Sequence, residues 1–135
     1  MSAYFRAVVA YTGAAAIVAG RVQAGSIFSG FTGYYAQHAG TVSVFRGVSG
    51  VLTLLSSIGA GAGLDTKLRL LLKTIGATTE YQVDLATTHA GAYSTIINGI
   101  DSSPVLGAGL WGFGRGGSPT LRDLSIDDFS INDVV

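Results

Sequence analysis

The chain has no cysteine, two prolines, one tryptophan and a single glutamate, Glu80, and only 12% of its 135 residues are charged. Each shortage excludes something. Without cysteine there is no disulfide frame, so stability has to come from a packed core, and a domain of this length can supply one. Scarce proline and the lack of a three-residue glycine period exclude collagen. Eight Lys plus Arg balance eight Asp plus Glu and lie scattered. That argues against a nucleic-acid partner, because phosphate binding needs clustered cations. Glycoside hydrolysis normally uses two carboxylates about 5 to 9.5 Å apart, and the acid nearest Glu80 in sequence is Asp84. There is no Gly-x-Ser-x-Gly elbow, and His38 and His89 are not spaced as a metal pair or part of a triad. The expectation is a protein that is not an enzyme.

Long hydrophobic runs are missing too. Residues 7–20 give 14 uncharged positions between Arg6 and Arg21, short of the roughly 20 that span a bilayer. The 18 residues of 47–64 are broken by five glycines and by Ser49, Thr53, Ser56 and Ser57. No membrane partner is expected.

What the chain does have is 48% hydrophobic residues, 20 Gly and 25 Ser or Thr, with a mean hydropathy of +0.48. Disorder is excluded, and residues 1–135 read as one domain. So few charges, with no net repulsion, leave association weakly opposed. Part of the exterior is therefore expected to be covered by other subunits.

Along the chain, short alternating segments are separated by Gly and Ser. Strands are expected at 2–11, 14–22, 32–38, 41–46, 51–55, 80–85, 93–97, 105–113 and 124–131, with 23–30 loose and a loop at 59–63. Within 80–85, Tyr81, Val83 and Leu85 read as inward and Glu80, Gln82 and Asp84 as outward. Asn98-Gly99 suits a tight turn. Residues 65–76 stay ambiguous. Leu68, Leu71, Leu72 and Ile75 fit a helix capped by Asp65 and ended by Gly76, whereas Leu68, Leu70 and Leu72 against Lys67, Arg69 and Lys73 fit a strand. So many short strands with regular turn signals point to an all-β antiparallel sandwich or barrel.

The order of motifs resembles the concanavalin A-like jelly roll in its laminin-G-like form, common in bacteriophage virion proteins and sugar-binding modules. The pieces that carry the resemblance are Gly33-Tyr34-Tyr35-Ala36, Val44-Phe45-Arg46, Leu68-Arg69-Leu70, Tyr81-Gln82-Val83, Ile97-Asn98-Gly99, Gly109-Leu110-Trp111-Gly112 and Ile126-Asp127-Asp128-Phe129-Ser130-Ile131. The resemblance favours a strand at 65–76. Many relatives have a further N-terminal strand, so the sheet is expected to be smaller or completed by a neighbouring chain.

The resemblance implies a non-enzymatic virion protein, either capsid decoration or a tail component, with copies of itself and a major capsid or tail protein as partners. The alternative is a carbohydrate-binding module for host attachment. Sugar would stack on aromatics such as Phe28, Phe31, Tyr34, Tyr35, Tyr93 and Trp111, with Gln37 or Asn98 donating hydrogen bonds; the competing reading puts these rings in the core or a subunit contact. Arg115 falls in a glycine-rich stretch read as an exposed loop. The Gly-x-Gly-x-x-Gly matches at Gly107, Gly109 and Gly112, and at Gly112, Gly114 and Gly117, lack the following helix that a dinucleotide site requires. Of the acids near the C-terminal end, Asp127 and Asp128 are the calcium candidates, but neighbours on a strand share a face only at a bulge. No cofactor is otherwise implied.

Overall fold

The computed structural model describes the backbone of residues 4–12, 16–26, 29–60, 65–86, 88, 91–107, 109–115 and 125–134, and the side chains of those from 16 to 112 other than 26, 65 and 66. Among the described residues the secondary structure is entirely β. The strands are β1 (Tyr4–Thr12), β2 (Ala16–Ser26), β3 (Ser29–His38), β4 (Thr41–Val48), β5 (Val51–Gly59), β6 (Asp65–Ile75), β7 (Thr78–Ala86), β8 (Ser94–Asp101), β9 (Leu110–Arg115) and β10 (Ser125–Val134). They form two five-stranded sheets, one in the order β10-β1-β6-β7-β8 and the other β5-β4-β3-β2-β9. Every pairing is antiparallel.

Period-two alternation builds the core between the sheets. From the second sheet come Ala16, Val18, Tyr34, Ala36, Val42 and Val44; from the first come Leu68, Leu70, Leu72, Tyr81, Val83, Leu85 and Ile97. Leu68, Leu70 and Leu72 are wholly buried, and each such side chain contributes about 1.5 to 3 kcal/mol relative to exposure. The architecture is sandwich-like, with the core drawn from both layers.

Residues 65–76 are strand β6 plus a turn, the alternative that the resemblance favours, and the helical spacing arose because Leu71 is apolar too. Leu71 is buried on the face opposite Leu68, Leu70 and Leu72, the face that also carries Lys67, Arg69 and Lys73. Other expectations need correction. The segment 23–30 is not uniformly loose, since β2 runs to Ser26 and β3 starts at Ser29. The expected 51–55 strand continues to Gly59, which places Gly59 in β5 rather than in a loop.

Asn98-Gly99 is not a turn. Both residues lie inside β8, paired with Gln82 and Tyr81. A Cβ at Gly99 would sit 2.3 Å from the Tyr81 hydroxyl oxygen, so this glycine makes room for a ring. Asp84 was expected on the solvated face and is instead fully buried.

Candidate functional site

Three polar or exposed features stand out: a buried polar chain that ties the sheets together, an ion pair on the outer face of the first sheet, and an open side where the sandwich ends.

The buried chain starts at Tyr34. Its hydroxyl donates to Asp101 Oδ2 at 2.8 Å and accepts from the Val105 amide at 3.0 Å. Burial, with the Asp101 carboxylate beside it, pushes the phenol up to about 12. Arg46 pairs with the other carboxylate oxygen of Asp101, which also accepts from the Ser103 amide at 3.1 Å. Because Tyr34 and Arg46 belong to the second sheet and Asp101 to the first, this is a polar bridge across the core.

A second bridge runs from Arg21. Strict alternation from Ala16 and Val18 would send Arg21 outward. The pairing of β2 is irregular between Gly20 and Ala24, however, and Arg21 has a φ of 51°. The bulge re-aims the side chain. Its guanidinium donates to Thr79 Oγ1 at 2.7 Å, to the Val105 carbonyl at 3.3 Å and to Thr74 Oγ1 at 2.7 Å. Loss of water lowers the guanidinium below its ordinary pKa. These bonds fix the spacing of the sheets where β6 turns into β7.

On the outer face of the first sheet, Arg69 binds Asp84 Oδ2 through Nε at 2.7 Å and through a terminal nitrogen at 2.5 Å. Thr95 and Gln82 donate to the other oxygen at 2.8 and 2.9 Å. Four donors explain how a buried carboxylate is tolerated. The Tyr93 ring lies 3.8 Å from the Arg69 guanidinium carbon and 4.7 Å from Lys67 Nζ, so two cations already occupy it.

The residues expected to form a ligand platform are not gathered in one place. Tyr34 is wholly buried and offers no ring to a sugar. Tyr35, on the opposite face of β3, is buried between Phe31, edge-on at 5.6 Å, and Phe45, stacked at 4.9 Å. Trp111 is half-buried and packs against the main core, with its ring in the space a Cβ on Gly20 would take, 2.4 Å away. Tyr93 and Asn98 belong to the first sheet's side of the molecule, and Asn98 is exposed. Arg115 is not in a loop: its backbone pairs with Ala16 at the end of β9, and its side chain lies outside the described residues. The register along β10 passes from Ala10 opposite Asp128 to Tyr11 opposite Ile126, so Asp127 falls at a bulge. The side chains of Asp127 and Asp128, and all of Phe28, lie outside the described residues.

The open side is the feature the sequence reading did not localise. β5 and β8 are edge strands of their sheets and face each other across the core, and the Tyr81 hydroxyl of neighbouring β7 reaches across to the Leu55 carbonyl of β5 in a long bond. Val51 is 70% exposed, Leu54 54% and Ile100 65%. Val48, Leu52 and Ile58 are exposed as well. β5 has no charged residue, and the one charge on β8 is Asp101, buried against Arg46.

No protein-family model, curated protein or solved structure matches the chain.

Proposed function

We propose that this chain is a non-enzymatic structural protein of a bacteriophage virion, an outer-surface capsid decoration or tail component that acts through protein–protein contacts. We assign it within the all-β class to the concanavalin A-like, laminin-G-like jelly roll. Support for that fold comes from the two meanders, β2 to β5 and β6 to β8, with the first strand paired to the last. Its partners are copies of itself and a major capsid or tail protein.

The observation that carries the reading is the open side of the sandwich, where two edge strands with no free charge leave Val51, Leu54 and Ile100 exposed. Several large apolar side chains exposed along unpaired sheet edges favour contact with another protein chain. The buried aromatic rings and the occupied Tyr93 weigh against a glycan platform. Mass spectrometry of purified particles is the test, and the chain should be present in many copies per particle. Absence from particles, together with binding of the free protein to immobilised glycans, would replace this reading with the carbohydrate-binding one.

A further inference from the structure

The geometry points to a specific self-association surface: β5 pairs antiparallel with β5 of a second copy across a two-fold axis perpendicular to the sheets, which also brings the two β8 edges together. This deepens the assembly reading above and rests on it for its biological purpose, though the physical argument stands on the edge itself.

Edge strands are usually protected by charges, by proline or by cover. β5 reads Val-Leu-Thr-Leu-Leu-Ser-Ser-Ile-Gly and has neither charge nor proline, and among the described residues only β4 pairs with it. One protective device is present, a bulge where the register shifts between Val44 and Phe45. It leaves Leu55 unmatched, and Leu55 packs on the core. The stretch before it, Val51 to Leu54, stays in unbroken register with β4 and has a free outer edge.

The chemistry of that edge selects a second copy as the occupant. In a two-fold contact each residue near the axis meets its own counterpart, so any free charge there would face a like charge. β5 has none, and the Asp101 carboxylate of β8 is already neutralised by Arg46. Leu52 and Leu54 lie opposite Gly47 and Phe45, while Val51 and Ile58 lie opposite Val48 and Val42. Each face of the strand thus carries apolar side chains at its edge, and pairing with a second copy would satisfy the free backbone edge and set these side chains beside those of the partner strand.

The size is sufficient. Strands of nine and eight residues extend about 30 Å, and two sheets about 10 Å apart with side chains on their outer faces make a side roughly 20 Å deep. Two such sides closing on each other would bury about 1,200 Å² in total, the lower bound of a standard specific interface.

Sedimentation velocity on the purified full chain over a range of concentrations is the test, with Val51→Lys and Leu54→Lys as variants. Both positions are exposed, so circular dichroism should show both variants folded. The wild type should sediment as a dimer at micromolar concentration, and each variant should shift to monomer with at least tenfold weaker association. A wild type that remains monomeric, or variants that associate as well as the wild type, would overturn the proposal. Neither result bears on whether the chain is found in particles, so the two readings fail separately.

Discussion

The Tyr34 hydroxyl and the Asp101 carboxylate, 67 residues apart in sequence, meet at 2.8 Å across the core. They convert an apolar stack of two sheets into one with a defined offset, because the bond forms only when β3 and β8 are correctly placed. Arg46 completes the charge balance of the pair.

Removing that hydroxyl with Tyr34→Phe strands the Val105 amide and takes a donor from a buried carboxylate, at a cost of about 1 to 3 kcal/mol. Chemical denaturation should show the loss. The pH dependence follows from the raised phenol. Folding holds Tyr34 neutral up to about 12, whereas an unfolded tyrosine ionises near 10. Its contribution is thus complete below about pH 10 and disappears as pH rises towards the folded value. Tyrosinate absorbance in the native protein should show the Tyr34 phenol titrating late, and Tyr34→Phe should flatten the decline in stability above about pH 10. Tyr35 and Tyr81 are also raised by burial, so a residual slope will persist in the variant.

Arg21 holds two threonine hydroxyls and a carbonyl from inside the core. Arg21→Ala is expected to destabilise by about 2 to 4 kcal/mol, because several buried polar atoms lose their partner together. Arg21→Lys should recover only part of that, since one ammonium on a flexible stem cannot reproduce the forked geometry. Thermal unfolding of the three proteins checks the order wild type, Lys, Ala.

Gly99 and Tyr81 form a pair in which one residue's lack of a side chain makes space for the other. Gly99→Ala should cost about 1 to 3 kcal/mol as the buried ring is displaced. In a Tyr81→Leu background the same change should cost much less. A double-mutant cycle with equal penalties in both backgrounds would show that the ring is not the obstacle.

How much of this was legible in the sequence depended on range. Tyr81, Val83 and Leu85 announced their inward face through local alternation, and the structure buries all three. The Lys67, Arg69 and Lys73 face of β6 was equally readable, but Leu71, an apolar residue buried on that same charged face, blurred it into a helical pattern. Asn98-Gly99 misled for a physical reason: the glycine answers a packing demand from β7, and a dipeptide cannot reveal that demand. Asp84 followed the alternation rule in direction, yet Arg69, Gln82 and Thr95 close over it. The bridges of Arg21 and Asp101 were invisible, since they join positions 58 and 67 residues apart and the first depends on a bulge. Of the candidate site residues, the fate of Tyr34 and Tyr35 was foreshadowed by the core reading of the aromatics. The open edge at Val51 to Leu54 was present only as an uncharged run, whose importance comes from its position at the end of a sheet.

Hydrogen–deuterium exchange at two protein concentrations tests most directly the claim that the molecule works by joining its open edge to another copy. The outward-pointing amides of β5, those not bonded to β4, should exchange quickly when the protein is dilute and become at least tenfold slower when it is concentrated, while β4 and β7 change little. Rapid exchange of those outward-pointing amides at every concentration, with any new protection located elsewhere, would contradict the account.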